Sequence, residues 1–203
     1  ASFSIVSEKS YKTRISNIVL QNNKDLPVCI YRLFAIFDDN LYLELKKFDT
    51  PLILKPYEAI TIITDPYSRL RLDNEIHEPN FFSENIKVAL ELLDNVYICE
   101  SKEYKQSSLK DLKQITKSTS AFNGIVYNEH VKYILIYELN GINKTAFFYP
   151  SGTISEEWNL GYNAISVKNR EINENDISAF LEQNYSEIIK AYEIRIIDKN
   201  SLQ

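Results

Sequence analysis

The sequence predicts a mainly β protein, in which an N-terminal β-sandwich is followed by a smaller α+β domain with a long C-terminal helix and a final strand. Three observations predict this fold class. The first hundred residues are apolar runs of three to ten residues separated by Asn, Asp and Pro, so no helix fits between the breaks. All four glycines lie between Gly124 and Gly161, so the turn chemistry changes in the second part. A helical apolar stripe follows Asn173.

The predicted strands of the first part follow each other closely, and each ends at a turn signal. They cover residues 15–20, 28–37, 41–45, 52–54 and 59–63. Asn and Asp tolerate left-handed backbone better than other non-glycine residues, so they can close hairpins that contain no glycine. Segment 86–93 matches both the helical and the strand period, and the turn after it favours a hairpin with residues 96–99.

The second part carries clearer local signals. Ser107 and the stripe of Leu109, Leu112 and Ile115 predict a short helix to about residue 117. The runs 131–139 and 145–149 flank Asn-Gly and predict a hairpin. Asn173 predicts the N-cap of a helix over residues 174–192, and residues 193–198 predict the final strand.

These elements divide the chain into three parts. Residues 1–104 form the predicted β-sandwich domain, residues 105–120 a connecting helix, and residues 121–203 the α+β domain. A chain of this length is within the range of one large domain or two small ones.

Composition narrows the set of partners. With 23 Lys and Arg against 28 Asp and Glu, the chain has a net charge of −5, which argues against a nucleic-acid partner. The lysines at 105, 110, 113 and 117 are a local exception, which a solvated lysine face explains. No apolar run approaches the roughly 18 residues of a membrane span. Two cysteines favour a reducing, cytoplasmic compartment, although the sequence leaves the localisation open.

The sequence lacks the residues that several classes of functional site require. A P-loop or a dinucleotide fingerprint needs glycines at fixed spacing after a strand, and the chain has none in that arrangement. The two histidines, His77 and His130, have no ligand partner at metal-binding spacing. We therefore expect no cofactor and no metal.

The two cysteines lie about 70 residues apart in strand-like runs. Asp94 and the run Tyr97-Ile98-Cys99 resemble the Asp…Tyr-x-Cys end of a later strand in immunoglobulin domains, although Asp94 is one place too close and no Trp follows Cys29. The resemblance implies an immunoglobulin-like sandwich. Buried free thiols are the expected state, and a cross-sheet disulfide between Cys29 and Cys99 is the alternative in an oxidising compartment.

One pattern suggests an enzyme. Asp94 followed by Glu100-Ser101-Lys102 and Glu103-Tyr104-Lys105 resembles the D…(D/E)xK pattern of metal-dependent nucleases. In those enzymes two carboxylates hold Mg²⁺ and a lysine steadies the attacking water. The resemblance implies catalytic roles for Asp94, Glu100, Lys102, Glu103 and Lys105. Alternation of Glu and Lys along the solvent-exposed face of a strand also explains these tripeptides.

The sequence therefore predicts a non-enzymatic protein–protein recognition or assembly module, such as an accessory subunit, a phage or virion structural protein, or a host–phage conflict protein. The partner is a protein of unknown identity. A Mg²⁺-dependent nuclease or hydrolase is the first alternative, and an extracellular adhesin-like sandwich is the second. The tyrosines of the chain suit an interface, and a β fold offers edges and loops for binding.

Overall fold

The computed structural model describes residues 1–7, 12–93, 95–99, 104–107 and 109–197. This part of the chain is mainly β, with one α-helix. The chain divides between Thr119 and Ser120 into two compact units, here called the N-terminal and the C-terminal unit. No helix in the described part is long and apolar enough to cross a membrane.

The N-terminal unit is built from two sheets. Its strands are β1 Ser2–Val6, β2 Arg14–Gln21, β3 Val28–Phe37, β4 Leu41–Leu54, β5 Ala59–Ile63, β6 Arg69–Leu72, β7 Glu75–Ile76, β8 Lys87–Glu91, β9 Val96–Cys99, β10 Tyr104–Ser107 and β11 Lys113–Ser118. One sheet has the order β1-β2-β5, and the other has the order β10-β9-β8-β3-β4-β11-β6-β7. The described pairs are antiparallel except for β11 and β4, which run parallel.

The two sheets of the N-terminal unit share one apolar core. Ile15 and Ile18 of β2 pack with Leu33 of β3 and Leu43 of β4, and all four side chains are at most 1% exposed. A smaller cluster on the other face of the large sheet contains Phe34, Ile36, Ala89 and Ile98. Strand β3 is therefore buried on both faces, which is why its sequence is apolar almost throughout.

Of two local predictions for this unit, the structure confirms one and shows the other to be wrong. Residues 86–93 contain a strand, and β8 and β9 form the favoured hairpin. The connecting helix expected over residues 105–120 is wrong, because β10 and β11 occupy most of that range. Ile115 lies opposite Leu43 and enters the core, whereas Leu109 and Leu112 pack on the other face of the sheet. The apolar stripe thus belongs to two faces of a sheet and not to one face of a helix.

The C-terminal unit contains a four-stranded sheet, a small hairpin and the helix. Its elements are β12 Ser120–Phe122, β13 Ile125–Tyr127, β14 Tyr133–Leu139, β15 Ile142–Phe148, β16 Ile154–Glu156, α1 Glu174–Tyr185 and β17 Ile189–Ile196. The sheet order is β16-β15-β14-β17, and β12 pairs with β13. Helix α1 and Trp158 cover one face of the sheet, and the β12–β13 hairpin covers the other.

Most local predictions for this unit are confirmed. The Asn140-Gly141 hairpin forms, with both residues at positive φ, and Asn173 caps α1. The helix ends at Tyr185, earlier than predicted, and the last strand begins at Ile189 instead of Glu193. Pairing with β14 explains the difference, because Ile189 lies opposite Leu139 and satisfies backbone groups that a longer helix would use.

Candidate functional site: an open strand edge

Strand β17 forms one edge of the four-stranded sheet. It pairs with β14 along one side, from Tyr133 opposite Ile196 to Leu139 opposite Ile189. Among the residues that the structure describes, no strand pairs with its other side. An edge strand of eight residues presents a row of unpaired backbone groups and is a template for another strand.

The backbone direction of β17 follows from one hydrogen bond. The Ile197 amide donates to the Lys132 carbonyl at 3.0 Å, so residue 197 faces β14. Successive residues of a strand direct their N–H and C=O groups to opposite sides. The amide and carbonyl groups of Tyr192, Ile194 and Ile196 therefore face the open edge.

The side chains of β17 are exposed on both faces. Six of its eight residues are exposed. Tyr192 is 38% exposed and Ile196 62% exposed, and Ile194 between them is half-buried against the core beneath α1. Tyr192 and Ile196 extend the apolar face of the sheet towards the open edge, where the described residues leave them uncovered.

The opposite face of β17 carries an ion pair. Arg195 Nε donates to Glu193 Oε1 at 2.6 Å, and Arg195 Nη2 donates to Glu193 Oε2 at 3.2 Å. The Arg195 guanidinium also lies 5.2 Å from the centre of the Phe122 ring. Hydrogen bonding to Arg195 lowers the pKa of Glu193, and the same contact raises the pKa of Arg195. Both groups stay charged at neutral pH, so the edge displays one acid and one base two residues apart.

The sequence does not single out β17 as a site. The helix predicted over residues 174–192 includes residues 189–192, and the predicted final strand covers only residues 193–198. The alternation of Tyr192, Ile194 and Ile196 with Glu193 and Arg195 was the signal that could have extended the strand. No local signal shows that a strand lies at a sheet edge, since this depends on the pairing of β14.

The nuclease-like residues are mostly beyond what the structure describes. Asp94, Glu100, Lys102 and Glu103 lie outside the described residues, and Lys105 is described only as a backbone position of β10, opposite Ile98. Within the described ranges, no group of three or more His, Cys, Asp or Glu side chains is placed to hold a metal ion.

The structure keeps the two cysteines apart. Both are free thiols, with Cys29 exposed and Cys99 half-buried. Ile98 lies opposite Ala89, and Ala89 lies opposite Phe34, which is five residues or about 16 Å along β3 from Cys29. A disulfide needs Cα atoms within about 7 Å. The described structure holds two free thiols and does not support a Cys29–Cys99 bridge, and the expectation that both thiols are buried is wrong for Cys29.

Cys99 lines a cavity whose walls are partly apolar and partly polar. The cavity has a volume of about 310 Å³, and its lining includes Leu20, Ile30, Leu54 and Leu90. Burial raises the pKa of the Cys99 thiol to about 11. Cys99 is therefore protonated at neutral pH, which is the state of a structural thiol and not of a nucleophile.

The lysine segment does not form one solvated face. Lys113 is exposed and lies 3.4 Å from Asp73, whereas the Lys117 ammonium group donates to the Leu45 carbonyl at 3.0 Å. Burial lowers the pKa of Lys117, and Asp65 opposes this effect. Lys117 therefore belongs to a partly buried charge cluster in the N-terminal unit.

Comparisons with known proteins find no matching family model, no similar curated protein and no similar solved structure.

Proposed function

We propose that this protein is a non-enzymatic recognition or assembly module that binds a protein partner by strand addition at β17. The observation that carries the proposal is the open edge of β17, where eight residues in sequence lie along a sheet edge that no described strand covers. Strand addition uses main-chain hydrogen bonds for affinity and alternate side chains for specificity.

The side chains of β17 support a protein partner. Tyr192 and Ile196 supply apolar area on one face, and Glu193 and Arg195 supply a charge pattern on the other. Tyr and Arg are enriched in protein interfaces, where Tyr adds a large apolar surface at low conformational cost. The net charge of −5 supports a protein partner over a nucleic acid.

We propose that the N-terminal unit has the shape of an immunoglobulin-like sandwich. The core shared by the sheets β1-β2-β5 and β3-β4 supports two packed layers. The parallel pairing of β11 with β4 differs from the antiparallel sheets of immunoglobulin domains. In this proposal the N-terminal unit is a scaffold, and binding takes place on the C-terminal unit.

Site-specific photo-crosslinking tests the proposal. A photoreactive phenylalanine derivative replaces Tyr192 at the edge, and the matched control replaces Tyr162, which is 62% exposed and lies outside β17 in the same unit. We expect a discrete protein adduct from position 192 in cells and none from position 162.

A second substitution links the adduct to strand pairing. Ile196→Pro removes an amide that faces the open edge and leaves the amides that face β14 in place. We expect this change to abolish the adduct from position 192 while circular dichroism stays unchanged. Equal adducts from both positions, or an adduct that persists with Pro at 196, would refute strand addition.

A further inference from the structure

We infer that β17 binds β17 of a second copy of this chain. The two strands pair antiparallel about a twofold axis at Ile194, so that two four-stranded sheets join into one continuous sheet. This inference rests on the proposed function, because it names the partner of the same edge. Closed twofold symmetry is the commonest arrangement of protein homo-oligomers.

The backbone groups of β17 fit this pairing. With the axis at Ile194, that residue lies opposite Ile194 of the second copy, and Tyr192 lies opposite Ile196. All three residues direct their N–H and C=O groups to the open edge, as the Ile197–Lys132 hydrogen bond shows. Opposed residues that both face the partner exchange two hydrogen bonds, so the edge gains about six.

The side chains fit the same register. Directly opposite residues of an antiparallel pair lie on the same face of the sheet. Tyr192, 38% exposed, then packs against Ile196, 62% exposed, of the second copy. On the other face, Glu193 lies opposite Arg195 of the second copy, and the reciprocal pair forms by symmetry. Charges of opposite sign at directly opposed positions stabilise the pair, and like charges destabilise it.

The neighbouring registers are less complementary. An axis at Glu193 places that carboxylate opposite its own copy, which is a like-charge contact. An axis at Tyr192 places Lys190 opposite Ile194 and Glu193 opposite Ala191, so no charges are paired. The arrangement of charges in β17 therefore selects the Ile194-centred register over both.

Charge changes at two positions test the register directly. In the inferred dimer, Glu193→Lys places the new ammonium group opposite Arg195, and Arg195→Glu places the new carboxylate opposite Glu193. Each variant alone therefore repels its own copy. An equimolar mixture contains one chain with Glu193→Lys and one chain with Arg195→Glu. In the mixed dimer, the new lysine of the first chain lies opposite the new glutamate of the second chain. Arg195 of the first chain lies opposite Glu193 of the second chain. Both pairs in the mixed dimer are attractive.

The readout is the oligomeric state, measured by sedimentation velocity and by native mass spectrometry of mass-labelled chains. We expect the wild-type chain to dimerise, and each single variant to dimerise at least about tenfold more weakly. The equimolar mixture should form a mixed dimer with close to wild-type affinity. Glu182→Lys, the same charge change at an exposed position of α1, is the control and should dimerise as the wild type does.

The outcomes separate this inference from the proposed function. A wild-type chain that stays monomeric at high micromolar concentration would overturn the second-copy inference. If position 192 then still crosslinks to a different protein, strand addition stands and only the identity of the partner changes. A wild-type dimer whose two variants fail to form a mixed dimer would overturn the Ile194-centred register.

Discussion

Asn173 and Asp176 hydrogen bond to each other in both directions at the start of α1. The Asp176 amide donates to Asn173 Oδ1 at 3.0 Å, and the Asn173 amide donates to Asp176 Oδ2 at 2.8 Å. This capping box satisfies two backbone donors that the first turn of a helix leaves without partners. It fixes where α1 begins on the sheet of the C-terminal unit.

Loss of the cap should destabilise the C-terminal unit. We expect Asn173→Ala to lower its free energy of unfolding by about 1 kcal/mol, because the Asp176 amide loses its side-chain acceptor and keeps only the Asn173 carbonyl, at 3.2 Å. Asn173→Ser keeps a side-chain acceptor and should cost only about a few tenths of a kcal/mol. Urea denaturation followed by Trp158 fluorescence measures both variants. Equal losses for Ala and Ser would contradict the capping role.

Asp176 should make the fold sensitive to acid. Hydrogen bonds from Arg170 and from the Asn173 amide lower the pKa of Asp176 to about 2. Since this value lies below that of the unfolded chain, about 3.9, the carboxylate stabilises the fold above about pH 4. That contribution should disappear as the pH falls from about 4 to about 2. Asp176→Asn should remove this part of the pH dependence, and an NMR titration of Asp176 with a normal midpoint would contradict it.

Gly152 should tolerate no side chain. Its φ is +90°, and a Cβ atom there would lie 2.0 Å from the Ile165 carbonyl oxygen. We expect Gly152→Ala to destabilise the C-terminal unit by about 3 kcal/mol or more, because backbone atoms must move. Gly124 has a φ of +81° but no atom within 4 Å of a Cβ, so Gly124→Ala should cost only about 1 kcal/mol. Thermal unfolding of the two variants measures the difference.

The two thiols should react at different rates. Cys29 is exposed, whereas Cys99 is half-buried with its pKa raised to about 11. At about pH 8 we expect Cys99 to react with a disulfide reagent at least about tenfold more slowly than Cys29, because the thiolate is the reactive form. Single Cys→Ser variants assign the two rates. In denaturant the rates should converge, and a difference that persists there would exclude burial as its cause.

The charged Lys117 side chain should lower the free energy of unfolding more at neutral pH than at alkaline pH. Burial lowers its pKa, so in the upper alkaline range the unfolded chain binds more protons at this site than the folded chain, and stability rises with pH. Lys117→Met removes this dependence and keeps the length of the side chain. We expect the free energy of unfolding of the wild type to increase relative to that of the variant as the pH rises from about 8 to about 10. A difference that does not depend on pH would contradict the pKa shift.

Local sequence was enough for the mainly β character of the chain, the Asn140-Gly141 hairpin and the cap at Asn173. These features depend on a few adjacent residues, since turn conformation and capping are decided by the residues that form them. The helix expected over residues 105–120 does not form, because Ile115 pairs with Leu43 of β4, which lies about 70 residues earlier in the chain. Tertiary pairing overrides a weak local preference of this kind.

The sequence by itself determined about half of the strands, the Asn140-Gly141 turn and the charge pattern of Glu193 and Arg195. Only the tertiary structure decided that β17 lies at a sheet edge, that Cys29 and Cys99 lie far apart, and that Lys117 is partly buried. The physical reason is that exposure and edge position depend on which distant strands pair. Strand β14 uses its two sides for β15 and β17, so β17 keeps one side open in the described structure, and the proposed binding site results from this order.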